Sequence, residues 1–280
     1  MTTLVTGSRG RVGSTLIELL HSKGLGVRAA SAAPEKLVPP AGVATVRCDL
    51  NDPTTFAAAL DSVTSVFLYA NGSHIDAFIT AARAAGVEHV VLLSSSSVLA
   101  PDPTNDPIAR SHFLVEQALT AADGLTATFL RPGPFATNAF QWSRAAKAGG
   151  PIDHPFPLSQ ADPIHEADIA DSALAVLTTP ALQGAAYLLT GPESLSAATQ
   201  IELLGRATGQ DIAVNVVGRD AWKQSVAGHI PGFVADALLG FWAQSDGSPV
   251  PLTRAVEELT GHPGRPFAQW ARENAAAFSQ

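Results

Sequence analysis

Through the first half of the chain, short unbroken apolar runs alternate with longer stretches that carry one apolar stripe. The runs at 3–6, 26–30, 44–47, 65–69, 89–93 and 127–130 read as strands. Continuous rather than alternating apolar positions predict strands buried on both faces of a parallel sheet. The stretches at 12–23, 53–60, 75–85 and 109–121 are rich in alanine or leucine and read as amphipathic helices. Strand–helix alternation of this length predicts an α/β fold built on a doubly wound parallel sheet. Pro34, Pro39 and Pro40 break the chain after the second strand, and Asp102-Pro103 and Asp106-Pro107 mark a loop after the fifth. Regularity fades near Gly149-Gly150-Pro151, and Pro155-Phe156-Pro157 cannot be helix interior. Residues 1–150 are therefore expected to form one domain. Residues 151–280 are expected to form a smaller C-terminal lobe, with about 163–191 returning to the sheet through a helix at 166–177 and a strand at 186–189. Helices at 196–207, 219–227, 230–244 and 252–260 would make up most of that lobe.

The first strand runs directly into Gly7-x-x-Gly10-x-x-Gly13. Gly7 permits a tight turn, Gly10 lets the backbone approach a pyrophosphate, and Gly13 lets the helix pack against the strand. Phosphates would then sit on backbone N–H groups at the positive end of the helix. Gly7, Ser8, Arg9, Gly10, Arg11, Val12 and Gly13 are the candidate nucleotide-binding residues, and the sheet is expected to be of Rossmann type.

Charge and cysteine content narrow the possibilities. The net charge of −8 and the lack of a basic cluster argue against a nucleic-acid partner. Cys48 is the single cysteine, which excludes an intrachain disulfide and a cysteine-rich metal site. His154 and His165 match no common ligand spacing, and Glu166 and Asp168 are explained as first-turn acids of a helix, so no metal is expected. The first residues lack the pattern of a signal peptide, and no apolar run reaches the ~18 residues of a membrane span. A cytoplasmic protein acting on a small molecule, as a monomer or homodimer, is expected.

Several segments resemble one family. Thr6-Gly7 with its glycine spacing is similar to the loop of extended and atypical short-chain dehydrogenases/reductases. Arg47-Cys48-Asp49-Leu50, the strand end Leu93-Ser94-Ser95, Leu130-Arg131-Pro132-Gly133-Pro134-Phe135, His165-Glu166-Ala167-Asp168-Ile169-Ala170 and Thr190-Gly191-Pro192-Glu193 resemble the NmrA-like branch, along nearly the whole chain. The resemblance implies NAD(P)H binding, with Asp49 and Leu50 near the adenine and Pro132, Gly133 and Phe135 beside the nicotinamide. Tyr69, Ala70, Asn71 and Ser94, at carboxyl ends of predicted strands, would line the same cleft.

The chemistry departs from that family. Its Tyr-x-x-x-Lys pair supplies a proton donor and a lysine that lowers the donor's pKa. Taking Glu116 as the acid four residues after that lysine, His112 stands at the lysine position and Ile108 at the tyrosine position. His112 is one candidate proton donor; the alternative is an i, i+4 pair with Glu116. Ser96 or Ser95 would hydrogen-bond a substrate carbonyl, or else only cap the following turn. Tyr69 reads mainly as a packing residue, with a proton-donor role as the alternative. Asn138, Trp142 and His165 are candidate substrate contacts. The second strand ends without an acid to hold a ribose 2′-hydroxyl; Ser31 would tolerate a 2′-phosphate, and Arg9, less readily Lys36, would pair with it, so NADP(H) is expected over NAD(H). Three activities fit: a flavin-free reductase passing hydride to a quinone-like, aromatic or other conjugated carbonyl; a binding protein that senses NADP(H) without turnover; and a redox-neutral isomerase or cyclase. An acceptor with acidic reduced oxygens needs less help from a proton donor, which suits the missing tyrosine.

Overall fold

The computed structural model describes residues 2–279 and carries a seven-stranded, wholly parallel sheet. Its strands are β1 (Thr2–Val5), β2 (Gly26–Ser31), β3 (Ala44–Arg47), β4 (Ser65–Tyr69), β5 (His89–Leu93), β6 (Thr126–Pro132) and a last strand, Ala186–Leu189. They lie in the order β3-β2-β1-β4-β5-β6 followed by that last strand. The order reverses between β1 and β4, the point where doubly wound sheets open a ligand crevice. Helices α1 (Arg11–Ser22), α2 (Phe56–Leu60), α3 (Ile75–Ala84) and α4 (Pro107–Thr120) form the connections. The predicted α/β, Rossmann-type sheet is thus the observed one.

Central strands follow the apolar reading: all five residues of β5 are buried, and so are the first four of β4. The outer strand β3 departs from it, with three of its four residues exposed, because an edge strand has a neighbour on one side only. Leu4, Phe56, Leu60, Val66, Phe78, Val90 and Leu92 form the core on one face, with Phe56 and Phe78 in edge contact at 5.3 Å. Helix α4 starts where Asp106 accepts from the amides of Ile108 and Ala109, both at 2.8 Å, so the Asp-Pro of the sequence is a helix cap.

Beyond β6 the chain forms α5 (Ser143–Lys147), β7 (Ile152–His154), β8 (Gln160–Ala161) and α6 (Glu166–Thr178), then β9, the last sheet strand (Ala186–Leu189). There follow β10 (Leu195–Ser196), α7 (Ala197–Thr208), β11 (Val214–Val216), α8 (Arg219–Ser225), α9 (Gly232–Gln244), α10 (Ala255–Thr260) and α11 (Phe267–Glu273). Two compact units result. The first comprises the chain to Pro132 with Glu166–Leu189 and Ala255–His262; the second comprises Gly133–His165, Thr190–Arg254 and the chain from Pro263. The division therefore falls at Pro132 rather than at 150, because β6 ends there and the residues that follow it pack with α7 and α11. The second unit has its own core of Trp142, Ile152, Ile201, Leu204, Phe267, Trp270 and Phe278, and two small sheets, β7 with β11 and β8 with β10. Among the described residues no helix is long and apolar enough to cross a membrane.

Candidate active site

In the first unit the glycine loop follows from local sterics. Gly7 has φ +64°, a backbone setting open to glycine. A Cβ on Gly13 would stand 2.6 Å from the Gly7 carbonyl oxygen, backbone against backbone, so nothing larger fits there. The Gly10 amide donates to that same oxygen at 2.8 Å, and α1 opens at Gly10 with no side-chain cap and no acid in its first turn. An uncapped helix start beside a glycine turn suits a phosphate.

The side chains around the loop divide into two groups. The Ser8 hydroxyl donates to the Val5 carbonyl at 2.7 Å and accepts from the Ala30 amide at 2.9 Å, tying the turn to β1 and β2. Val12 is buried in the core, and the Arg11 guanidinium reaches Glu166 of α6 at 3.4 Å. Arg9 instead lines an open cleft of about 260 Å³ together with Ser14, Glu18, Lys36, Val38 and Pro39. Both cations that the sequence offers for a 2′-phosphate therefore face one cleft. Ser31 lies outside that lining and accepts from the Ala33 amide at 3.1 Å.

The carboxyl ends of β3 and β4 are tied together by polar links. The Asp49 amide donates to the Thr55 hydroxyl at 3.0 Å, its carboxylate accepts from the Asn51 amide at 2.9 Å, and Leu50 packs on the core. Asn71 donates to the Asn51 side-chain oxygen at 3.3 Å, and Ala70 packs on the core beside it. At the switch point Thr6 accepts from the Tyr69 amide at 2.7 Å. Tyr69 is 54% exposed, and its side chain lies over Gly7 at the carboxyl end of β4, outside the core.

Ser94 is buried and donates to Glu116 at 2.6 Å. Arg131 grips the same carboxylate in two-pronged fashion, at 3.0 and 2.6 Å. This trio joins β5, α4 and β6. It also corrects the expected His112–Glu116 pair: Glu116 is taken by Arg131, and the buried Nδ1 of His112 has no hydrogen-bond partner. Burial lowers the His112 pKa below the usual histidine value against the opposing pull of Glu116, so the ring is neutral at pH 7. Ser95 accepts from the Ser97 amide at 3.2 Å and the Ser97 hydroxyl at 2.9 Å, which is turn capping. Ser96 is half-buried, and no hydrogen bond joins it to His112.

In the second unit Gly133 and Phe135 lie against the segment 162–164. The Ala136 amide donates to the Ile164 carbonyl at 2.8 Å, and the Ile164 amide to that of Pro134 at 2.9 Å. Asn138 is exposed within a short 3-10 stretch and caps no helix. Trp142 is buried in edge contact with His154 at 6.3 Å. His154 also lies 4.4 Å from the Trp242 ring, and burial pushes its pKa down to about 4. His165 is buried with Nε2 2.9 Å from Glu273. Among the described residues, one group of potential ligands, Asp168, Asp171 and His262, lies close enough for a metal; an ion pair of 3.3 Å already joins Asp171 to His262.

Sequence reading missed Asp162. Its carboxyl lies flat on Gly133: a Cβ there would meet Oδ2 at 2.4 Å, Cγ at 2.9 Å and Oδ1 at 3.0 Å. Burial pushes the Asp162 pKa up to about 7, against the pull of its own amide. An Asp-Pro pair reads as turn punctuation, and nothing local announces the burial.

A family model described as NAD(P)H-binding matches residues 7–180. The chain is 34% identical to the (4-alkanoyl-5-oxo-2,5-dihydrofuran-3-yl)methyl phosphate reductase of Streptomyces griseus over 99% of each chain. It is 32% identical to an NAD(P)H azoreductase of Xenophilus azovorans over 98% of each. Its fold matches that of an NADPH-dependent quinone oxidoreductase of Escherichia coli complexed with NADPH, with a TM-score of 0.81 at 21% identity, covering 97% of this chain and 99% of the other. Glycine loop, sheet order and whole-length relatives agree: the chain belongs to the NAD(P)H-binding family and is an NAD(P)H-dependent oxidoreductase.

Proposed function

We propose that the chain is an NADPH-dependent reductase that transfers hydride, without flavin, to a conjugated carbonyl compound, quinone-like or an unsaturated lactone. The observation that carries this reading is the pairing of an intact glycine loop with a helix α4 that has Ile108 where the family's tyrosine would stand. Binding is retained while the acid suited to simple ketones is gone, which favours acceptors whose reduced oxygen is stabilised by conjugation. The substrate in the name of the Streptomyces griseus relative is a lactone with a ring double bond and an acyl group, an acceptor of this kind.

Reduced nicotinamide, when bound, supplies the hydride. Gly7, Gly10 and Gly13 shape the loop, and the amides at the start of α1 would hold the pyrophosphate. Asp49, Leu50, Tyr69, Ala70 and Asn71 would flank the nucleotide, with Pro132, Gly133 and Phe135 toward the reacting end. Arg9 and Lys36, facing the same cleft, support NADPH over NADH, since a 2′-phosphate brings charge that both can meet. Ser94, tied to Glu116, would act through the backbone at the end of β5. Neutral His112 can give an N–H hydrogen bond but is poorly charged for full proton transfer at pH 7. With Ser96 it would hold the acceptor oxygen, so that rate comes from positioning.

Titration with NADPH and NADH, followed by NADPH oxidation against benzoquinones and unsaturated lactones, tests the proposal. Tighter NADPH binding with acceptor-dependent oxidation is expected. Tight binding with no oxidation by any acceptor would replace the reductase with a cofactor sensor.

A further inference from the structure

Resting on the reading of Arg9 and Lys36 as contacts of a 2′-phosphate, we propose that Glu18 sets the cofactor preference. Its carboxylate restrains binding of the 2′-phosphate and so keeps NADH within the enzyme's range. Every residue involved belongs to the first unit, from the glycine loop through α1 to the loop after β2.

The polar side chains lining the cleft of about 260 Å³ are Ser8, Arg9, Ser14, Glu18 and Lys36. Both serine hydroxyls are engaged by backbone: Ser8 donates to the Val5 carbonyl at 2.7 Å, and Ser14 to the Arg11 carbonyl at 3.1 Å. A ligand entering the cleft therefore meets three charged groups, the two cations and the Glu18 carboxylate. Among the described residues, no salt bridge engages Arg9, Glu18 or Lys36. The three face the cleft with their charges unmatched.

Neither an ion pair nor the helix dipole accounts for an acid at position 18. Helix α1 has no acid in its first turn, where the dipole would favour one, and Glu18 stands well beyond that turn. Ser14 and Glu18 lie four positions apart on one face of the helix, and that face meets the loop after β2 in the cleft lining. The inner wall between them is apolar, made by the buried Ile17 and Ala29. Low-dielectric walls concentrate the field of charges in a cleft. A 2′-phosphate carries nearly two negative charges at neutral pH, drawn in by Arg9 and Lys36 and opposed by Glu18. The 2′-hydroxyl of NADH carries none. One carboxylate in this cleft therefore acts on one of the two cofactors and leaves the other untouched.

The test measures dissociation constants for NADPH and NADH on the wild type, Glu18→Gln and Glu35→Gln. Glu18 is exposed and glutamine is an equally good helix former, so the variant keeps the fold. Glu18→Gln should tighten NADPH about three- to tenfold at low salt and move NADH by less than about twofold. The gain should shrink as salt rises to ~0.5 M, because counterions screen the pair. Glu35→Gln removes the same charge beside Lys36 in sequence but outside the cleft lining, and should shift the NADPH-to-NADH ratio by less than about twofold. An unchanged ratio in Glu18→Gln, an equal gain for both cofactors, or a gain matched by Glu35→Gln would overturn the role. Arg9→Ala and Lys36→Ala judge the underlying reading separately. If either weakens NADPH alone while Glu18→Gln changes nothing, the 2′-phosphate seat stands and the role of Glu18 falls. If neither shifts the ratio, the cleft is not that seat, and the role of Glu18 falls with it.

Discussion

At the scale of single residues, the glycines and the two cations of the cleft make the sharpest demands. Gly13→Ala would force its methyl against the Gly7 carbonyl, a backbone neighbour that cannot step aside. A stability loss of about 1–3 kcal/mol is expected from such overpacking, with cofactor affinity falling as the loop shifts; calorimetric titration and thermal melts would check both. Gly10→Asp places charge and bulk at the phosphate seat and should abolish cofactor binding; unchanged affinity would remove the nucleotide site from this loop. Arg9→Ala and Lys36→Ala should each weaken NADPH by about tenfold while leaving NADH nearly unchanged, the measure being the ratio of the two dissociation constants. These residues were legible in sequence because their constraints are local: a loop needing three glycines writes itself as three glycines. Asp162 was not legible, since its altered acidity arises from residues distant in sequence folding over it. His112 was half legible. Its place on helix α4 follows from spacing, but the partner assigned to it was taken by Arg131, which lies fifteen positions beyond Glu116.

Among elements, the Ser94–Glu116–Arg131 trio binds β5, α4 and β6 into one piece. Glu116 is buried, so removing its charge leaves Arg131 without its matched acceptor. Glu116→Gln is expected to cost on the order of 3 kcal/mol in urea unfolding. A loss below about 1 kcal/mol would mean that solvent replaces the pair and that the trio is not a structural tie. The long elements were readable because hydrophobic period and length reinforce each other over many residues. The two small sheets were not: β8 and β10 are two residues each, and β7 and β11 three, too short for any period. Helices α5 and α11 also escaped; α11 is defined by Phe267, Trp270 and Ala271 turning into the second core, a tertiary fact.

For the whole molecule, stability against pH is set by opposing buried groups. His89 and His154 both have pKa values lowered to about 4 by burial. Their neutral forms are favoured in the fold, so their contribution is complete above about 6.5 and is lost as pH falls toward 4. Each accounts for at most about 3 kcal/mol. Asp162 acts with the other sign. Its pKa is raised to about 7, so its contribution is complete below the ordinary carboxylate value and fades as pH rises through 7. With His112 also lowered by burial, three histidines stand against one carboxyl, so unfolding free energy should decline as pH falls from about 6.5 to 4, and Asp162→Asn should steepen the decline. Unfolding curves that strengthen with acid over that range would contradict this balance.

The chain enters and leaves the sheet-bearing unit more than once: that unit takes in α6 and β9 after the second unit has begun, and residues Ala255–His262 later still. Helix α6 is buried along most of its length and packs on α1, so the nascent sheet lacks one covering layer until residue 178 has been made. A ribosome-bound fragment ending near residue 150 would therefore display bare apolar sheet, bind chaperones and aggregate on release. Neither unit can be excised by a single cut. The gene is accordingly unsuited to modular exchange by simple fusion, and lobe swaps between relatives would need several coordinated junctions.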